Sequence, residues 1–230
     1  MQECGMPNPC TMPSCALLAV TVTLFGAAAA QTPESSIYSG RCETPVSHRV
    51  SDAGCYLVAE VQLGEMSGPV FWHLYTYPTM AAAEAARSQN GTAVQSLGKF
   101  WVFTLAGRAW RAGRGDHVSS IGPLQIKPGT RYTARYMESI LPPAVRAVSA
   151  HTHSGPEAFY IVSGAQCLET PDATTVSRAG DSVIMQAGPP MALNGVGTEN
   201  RSAVLLVLHE STQAWVTRGG TWKPPGRCPQ

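Results

Sequence analysis

The chain has 230 residues and a formal net charge of +1, with only 13% charged residues. A balance this close to neutral gives no electrostatic basis for binding nucleic acid or an anionic membrane surface. The 22 Gly and 18 Pro are typical of a turn-rich, β-rich globular protein with one large domain rather than of a disordered chain.

Residues 16–30 form an apolar run that ends in alanines. The run is shorter than the roughly 20 residues of a membrane-spanning helix, and Ala28-Ala29-Ala30 before a polar segment is typical of a signal-peptide cleavage site. No Lys or Arg precedes it, so the usual basic region is missing, and a buried helix is the alternative. We expect residues 1–30 to be a signal peptide and the mature protein to be periplasmic or secreted. We expect no membrane anchor, because no Cys directly follows the run.

The predicted mature chain keeps four cysteines, Cys42, Cys55, Cys167 and Cys228. Four cysteines in an exported chain predict two disulfide bonds, for which three connectivities exist. Pairing Cys42 with Cys55 would fix the N-terminal segment, and Cys228 would then tie the tail to Cys167. No Cys-x-x-Cys spacing indicates a metal role for them.

Residues 31–117 mix strand and helix patterns. Strands are predicted at 56–63, 70–77 and 99–106, which are rich in β-branched and aromatic residues. A helix is predicted over 79–87, with Thr79 as its N-cap. His73 lies within the second strand and is interpreted as a packed histidine. We expect residues 31–117 to form a small α+β extension that packs on the domain after it.

From residue 118 onward almost every pattern indicates a strand. Many short strands with evenly spaced turn residues predict a sandwich or closed barrel of the jelly-roll class. We expect a β-barrel over residues 118–216 and a Pro-rich tail over 217–230. The candidate strands are 118–126, 131–141, 145–152, 157–169, 174–177, 182–186, 191–196 and 203–209.

The most informative motif is His151-x-His153 followed by Glu157. Side chains repeat every second residue along a strand, so the two histidines share a face. A Ser-Gly-Pro turn then lets the next strand bring the carboxylate of Glu157 back towards them. Two imidazoles and one carboxylate suit a divalent metal ion. We expect one such ion, with Fe, Mn, Zn, Ni and Cu all open.

The spacing of this motif, completed by Gly164, resembles the first motif of the cupin superfamily. Gly180 and Gly188 are in register with the second cupin motif, in which Gln186 replaces a Pro and Met191 replaces a His. The resemblance covers roughly residues 120–212 and implies a mainly β protein with a cupin-type jelly-roll barrel. It leaves open whether Met191 is a weak thioether ligand or fills the core.

Further residues are candidates for lining the pocket beside the metal. Phe159 and Ile161 have the same strand parity as Glu157, and Gln186, Met191 and His209 are the other candidates. The resemblance implies a metal-dependent enzyme, dioxygenase- or isomerase-like, acting on a small organic substrate. A non-catalytic barrel that binds a small molecule or sugar is the alternative, and a homodimer is left open.

Overall fold

The structure is a computed structural model that describes residues 41–143 and 145–229, without the side chains of residues 146–149. The predicted signal peptide lies outside the described residues. A short 3-10 turn, Val46–His48, precedes the first strand. The elements that follow are β1 Gly54–Glu65, β2 Val70–Tyr77, α1 Met80–Ala86, β3 Gly91–Ser96, β4 Lys99–Ala106, β5 Asp116–Leu124, β6 Arg131–Leu141, β7 Arg146–Thr152, β8 Glu157–Ser163, β9 Ala165–Glu169, β10 Thr174–Arg178, β11 Ser182–Met185, β12 Met191–Val196, β13 Arg201–Glu210 and β14 Thr217–Arg218.

Eight antiparallel strands, β6 to β13, form two sheets with jelly-roll connectivity. One sheet has the order β6-β13-β8-β11 and the other β10-β9-β12-β7. Consecutive strands lie in different sheets, except β9 and β10, which pair within one sheet, and β13 returns to pair with β6, as two interlocked Greek keys require. β1 extends the first sheet beside β6, and β14 extends the second beside β7. The expected mainly β fold with a jelly-roll barrel is confirmed by this strand order.

The first barrel sheet is buried on both faces because it separates two cores. One face of β13 meets the second barrel sheet in a cluster that includes Phe159 and Met191. The opposite face meets the N-terminal strands in a cluster that includes Trp72 and Phe103. The residues of β13 that face the barrel interior are Ala203, Leu205 and Val207, and those that face the N-terminal strands are Val204, Leu206 and Leu208.

The N-terminal strands form a separate four-stranded sheet of order β3-β4-β2-β5, with α1 beside it. The helix begins as predicted, since the Thr79 side chain accepts a hydrogen bond from the Ala82 N–H at 3.1 Å. β3 was not predicted, because its sequence Gly-Thr-Ala-Val-Gln-Ser has little apolar alternation. It is held as an edge strand by pairing with β4.

The predicted single strand 157–169 is wrong, because the chain turns at Gly164. This residue has φ of +66°, and a Cβ there would lie 2.5 Å from the Asn200 carbonyl oxygen. A side chain is therefore excluded both by backbone conformation and by the neighbouring loop. The turn divides the segment into β8 and β9, which belong to different barrel sheets.

Two disulfide bonds, Cys42–Cys55 and Cys167–Cys228, are present in the structure. The first joins residues 13 apart and ties the N-terminal segment to β1. The second joins residues 61 apart and fastens the C-terminal tail to β9, where the Cys228 N–H also donates to the Glu169 carboxylate at 2.8 Å. No helix among the described residues is long and apolar enough to cross a membrane.

The longer cross-link should stabilise the protein more than the shorter one. Loop-closure entropy gives about 4 kcal/mol for Cys167–Cys228 and about 3 kcal/mol for Cys42–Cys55. Urea unfolding of the Cys167→Ser/Cys228→Ser and Cys42→Ser/Cys55→Ser double variants measures both losses. Thiol titration of the denatured, unreduced mature protein should find its four cysteines oxidised, and four free thiols would contradict the pairing.

Candidate metal centre

His151, His153 and Glu157 meet at the rim of the barrel interior. His151 lies on β7, His153 follows the end of that strand, and Glu157 begins β8. One ligand atom from each residue lies within 4.8 Å of the others. Their exposed fractions are 5%, 8% and 4%, so the three polar side chains are withdrawn from water. The two imidazole rings are nearly perpendicular, with centroids 4.9 Å apart.

The turn Ser154-Gly155-Pro156 brings Glu157 back to the histidines because it is pressed against β13. The Leu208 N–H donates to the Pro156 carbonyl at 2.9 Å, and the Glu210 N–H donates to the Ser154 hydroxyl at 3.3 Å. A Cβ on Gly155 would lie 1.8 Å from the Leu208 carbonyl oxygen. Only glycine therefore allows the turn to approach β13 this closely.

His153 is oriented by the backbone of the segment before β14. Its Nδ1 lies 2.6 Å from the Trp215 carbonyl oxygen. A carbonyl can only accept, so Nδ1 carries the proton and donates it. In the neutral ring, Nε2 is then a bare acceptor, which is the tautomer that a metal-ligating histidine needs.

The bare Nε2 of His153 faces another acceptor. Oε2 of Glu157 lies 3.4 Å away, and both atoms are buried without a hydrogen-bond partner. Two acceptor atoms at this distance in a dry interior repel each other unless a positive charge lies beside them. A proton or a metal ion would supply that charge. The chemistry of the donor set therefore fits a divalent ion, whose ligands are neutral imidazole and ionised carboxylate.

The pKa of His153 also indicates that positive charge is favoured at this site. Burial tends to lower the pKa of His153, but the adjacent Glu157 carboxylate and the Trp215 carbonyl outweigh it, and the pKa is raised above its ordinary value. Arg218 opposes this rise. The carboxylate therefore favours a positive charge on the His153 ring even though the ring is buried.

Met191 lies beside the histidines, at the position where the resemblance implies a further His. It is directly opposite His151 in the antiparallel β12–β7 pair, so the two side chains share a face and their Cβ atoms are about 5 Å apart. Met191 is buried in the interior cluster that also contains Phe159 and Ile161. These three candidates form the apolar surroundings of the His and Glu side chains.

The two remaining candidates are placed differently. Gln186 hydrogen bonds to the Gln125 N–H at 3.2 Å and the Pro123 carbonyl at 3.4 Å, so its amide joins the end of β11 to the end of β5. His209 is buried and follows Val207 by two residues on β13. Because Val207 pairs with Glu157, strand alternation places His209 on the interior face, one row towards the rim.

Sequence reasoning missed two residues next to the site, Trp215 and Arg135. The indole of Trp215 stacks on His153 with ring centroids 5.8 Å apart. The Arg135 guanidinium lies 4.8 Å from the centroid of the same indole ring. Arg135 is ion-paired with Glu60. The parity of β6 could have indicated an inward Arg135. No sequence signal places Trp215, since its position depends on β14 pairing with β7.

The comparisons with known proteins return cupin folds at low similarity. A cupin-like protein from Thermotoga maritima matches with a TM-score of 0.35 and 12% identity over 38% of this chain and 65% of that one. A double-stranded β-helix protein from Klebsiella pneumoniae matches with a TM-score of 0.33 and 17% identity over 42% and 81%. A DMSP lyase from Ruegeria pomeroyi matches with a TM-score of 0.33 and 16% identity over 36% and 42%.

No protein-family model and no curated protein matches this sequence. The likeness to the solved structures carries no argument about activity, and the fold assignment rests on the strand order given above.

Replacing Gly155 should shift the turn that positions Glu157 while leaving the three candidate ligands in the sequence. Gly155→Ala forces the turn away from the Leu208 carbonyl, and we expect a loss of about 2 kcal/mol in the free energy of unfolding, together with weaker metal binding. Gly113→Ala is the matched control, because a Cβ there meets nothing within 4 Å. Urea unfolding measures both, and equal stabilities of the two variants would contradict this account of the turn.

Proposed function

We propose that this protein is an exported, metal-binding jelly-roll barrel that acts as a metal-dependent enzyme on a small organic substrate. The observation that carries the proposal is the pair of unpartnered acceptors, His153 Nε2 and Glu157 Oε2, which face each other at 3.4 Å inside the barrel. His151 is the third ligand. A divalent ion held there would act as a Lewis acid towards an oxygen of the substrate.

The surrounding residues support a small organic substrate. Phe159, Ile161 and Met191 supply an apolar wall next to the three polar side chains. Pockets for small molecules commonly combine such walls with a few placed polar groups. The indole of Trp215 stacks on His153 and is contacted by Arg135, which is ion-paired with Glu60, and these groups would exclude water and orient the ligand.

The choice of an enzyme over a non-catalytic binding barrel is supported by His209. Its Nδ1 lies 3.0 Å from the Glu210 carbonyl oxygen, so Nδ1 donates and Nε2 is left as an acceptor. An imidazole on the interior face, one row from Glu157, is placed to exchange a proton with a substrate through Nε2. Dioxygenase- or isomerase-like chemistry is what the cupin resemblance implies, and it remains part of the proposal.

Export is supported by the two disulfide bonds, which persist in oxidising compartments. A periplasmic or secreted location follows from this and from the predicted signal peptide.

Removing either histidine should abolish stoichiometric metal. His151→Ala and His153→Ala each leave two ligands, which hold a divalent ion poorly, and Glu157→Gln should weaken affinity at least about tenfold because it removes the carboxylate charge. The measurement is elemental analysis after equilibration with Fe²⁺, Mn²⁺ or Zn²⁺ and dialysis. His48→Ala changes an exposed histidine and should bind like wild type. Equal metal content in wild type and His153→Ala would eliminate the site.

Met191 offers a separate test of the geometry. Met191→His should tighten metal binding, because the new imidazole would project from the position opposite His151. Met191→Leu conserves volume and apolar character, so it should leave metal stoichiometry unchanged. Metal affinity from competition with a chelator measures both variants. Loss of metal in Met191→Leu would show that the thioether itself is a ligand.

A further inference from the structure

A second cluster of polar side chains lies on the N-terminal sheet, away from the barrel interior. His73 on β2 is fully buried and pairs across the strands with Ser120 on β5. The Ser120 hydroxyl lies 2.8 Å from His73 Nδ1 and 2.9 Å from His117 Nε2. One serine oxygen is therefore held between two imidazoles.

The direction of each hydrogen bond in this cluster can be derived from one carbonyl. His73 Nε2 lies 3.0 Å from the Gly107 carbonyl oxygen, which can only accept, so Nε2 carries a proton. Burial lowers the pKa of His73, and the charges of Arg111 and His117 lower it further, although its bonds to backbone carbonyls oppose the shift. The ring is therefore neutral near pH 7, and Nδ1 is a bare acceptor.

The serine must then donate its single proton to His73 Nδ1. Since the hydroxyl has no second proton, the contact with His117 is an Nε2–H of His117 donating to the serine oxygen. The chain of donors runs from His117 through Ser120 to His73, and His73 is fixed by the Gly107 carbonyl. This is the arrangement of a nucleophile, a base within hydrogen-bond reach and a third group that orients the base.

The surroundings leave the serine open to a small reactant. Ser120 is half-buried and His117 is exposed. The ring of Trp110 lies 5.2 Å from that of His73, and the ring of Tyr75 lies 5.1 Å from that of His117. Two aromatic side chains thus flank the polar chain and would contact a short apolar acyl group.

We propose that Ser120 is a nucleophile that accepts an acyl group from a small activated ester, with His73 as its base. In this step the bond from the serine oxygen to the acyl carbon forms, and the bond from that carbon to the ester oxygen breaks. The serine proton moves to His73 Nδ1 and then to the departing alkoxide. The His117 N–H holds the serine oxygen in position beside His73, while the negative charge of the tetrahedral intermediate develops on the carbonyl oxygen of the ester.

The test uses para-nitrophenyl acetate and the full-length protein. We expect a burst of about one nitrophenolate per chain, with a single acetyl group that peptide mapping places on Ser120. Ser119→Ala is the matched control, because this neighbouring serine points to the other face, where its hydroxyl contacts Ser182 at 3.0 Å. It should react like wild type, whereas Ser120→Ala should lose the burst.

The role of His73 is tested by His73→Gln, whose amide can still donate to the Gly107 carbonyl but gives Ser120 no base. Acetylation should slow about a hundredfold, with unchanged circular dichroism and metal content as the check on folding. The proposal is overturned if Ser120→Ala keeps the burst. It is also overturned if peptide mapping of the wild type finds the acetyl groups on lysines instead of on Ser120. This result is independent of the metal centre in the barrel.

Discussion

The double-sided burial of the first barrel sheet is the constraint on which the rest of the structure depends. Alternate residues of β13 enter two different cores, so a slip of one residue would exchange the two sets and fill the barrel with the wrong side chains. The register of β13 against β8 is thereby fixed. That register places Glu157 opposite Val207 and holds the turn at Gly155 against the Leu208 carbonyl. Hydrophobic packing thus positions the carboxylate of the candidate metal centre.

The candidate metal centre is buried and brings two acceptor atoms, His153 Nε2 and Glu157 Oε2, together with no positive charge between them. The Trp215 carbonyl fixes the proton of His153 on Nδ1, so the other nitrogen faces Glu157 as an acceptor. Burial without compensation would cost several kcal/mol, and the Glu157 carboxylate contributes to raising the pKa of His153. A metal ion and a proton compete for the same atoms. Occupancy by a metal should therefore stabilise the fold as well as serve the chemistry.

Local patterns in the sequence predicted most of the fold and the grouping of His151, His153 and Glu157. Strand alternation placed His151 and His153 on one face, and the turn residues separated most of the barrel strands. The pattern failed where tertiary contacts decide. Gly164 lies within an apolar run whose division depends on the loop at Asn200, and β3 is a strand because β4 pairs with it. The contact of Trp215 with His153 joins residues 62 apart, and no local periodicity encodes such a contact.

Two buried histidines make the same hydrogen bond to a backbone carbonyl, yet their pKa values are shifted in opposite directions. His153 and His73 each donate one ring proton to a backbone carbonyl, Trp215 in one case and Gly107 in the other. Burial disfavours the charged form of both rings. At His153 the adjacent Glu157 carboxylate reverses this effect, so the free nitrogen attracts a cation. At His73 the neighbouring ionisable groups are Arg111 and His117, which add to it, so the free nitrogen stays neutral and faces a hydroxyl. Because a carbonyl fixes the tautomer in both places, the neighbouring charge is what distinguishes the imidazole that we propose as a metal ligand from the one that we propose as a base.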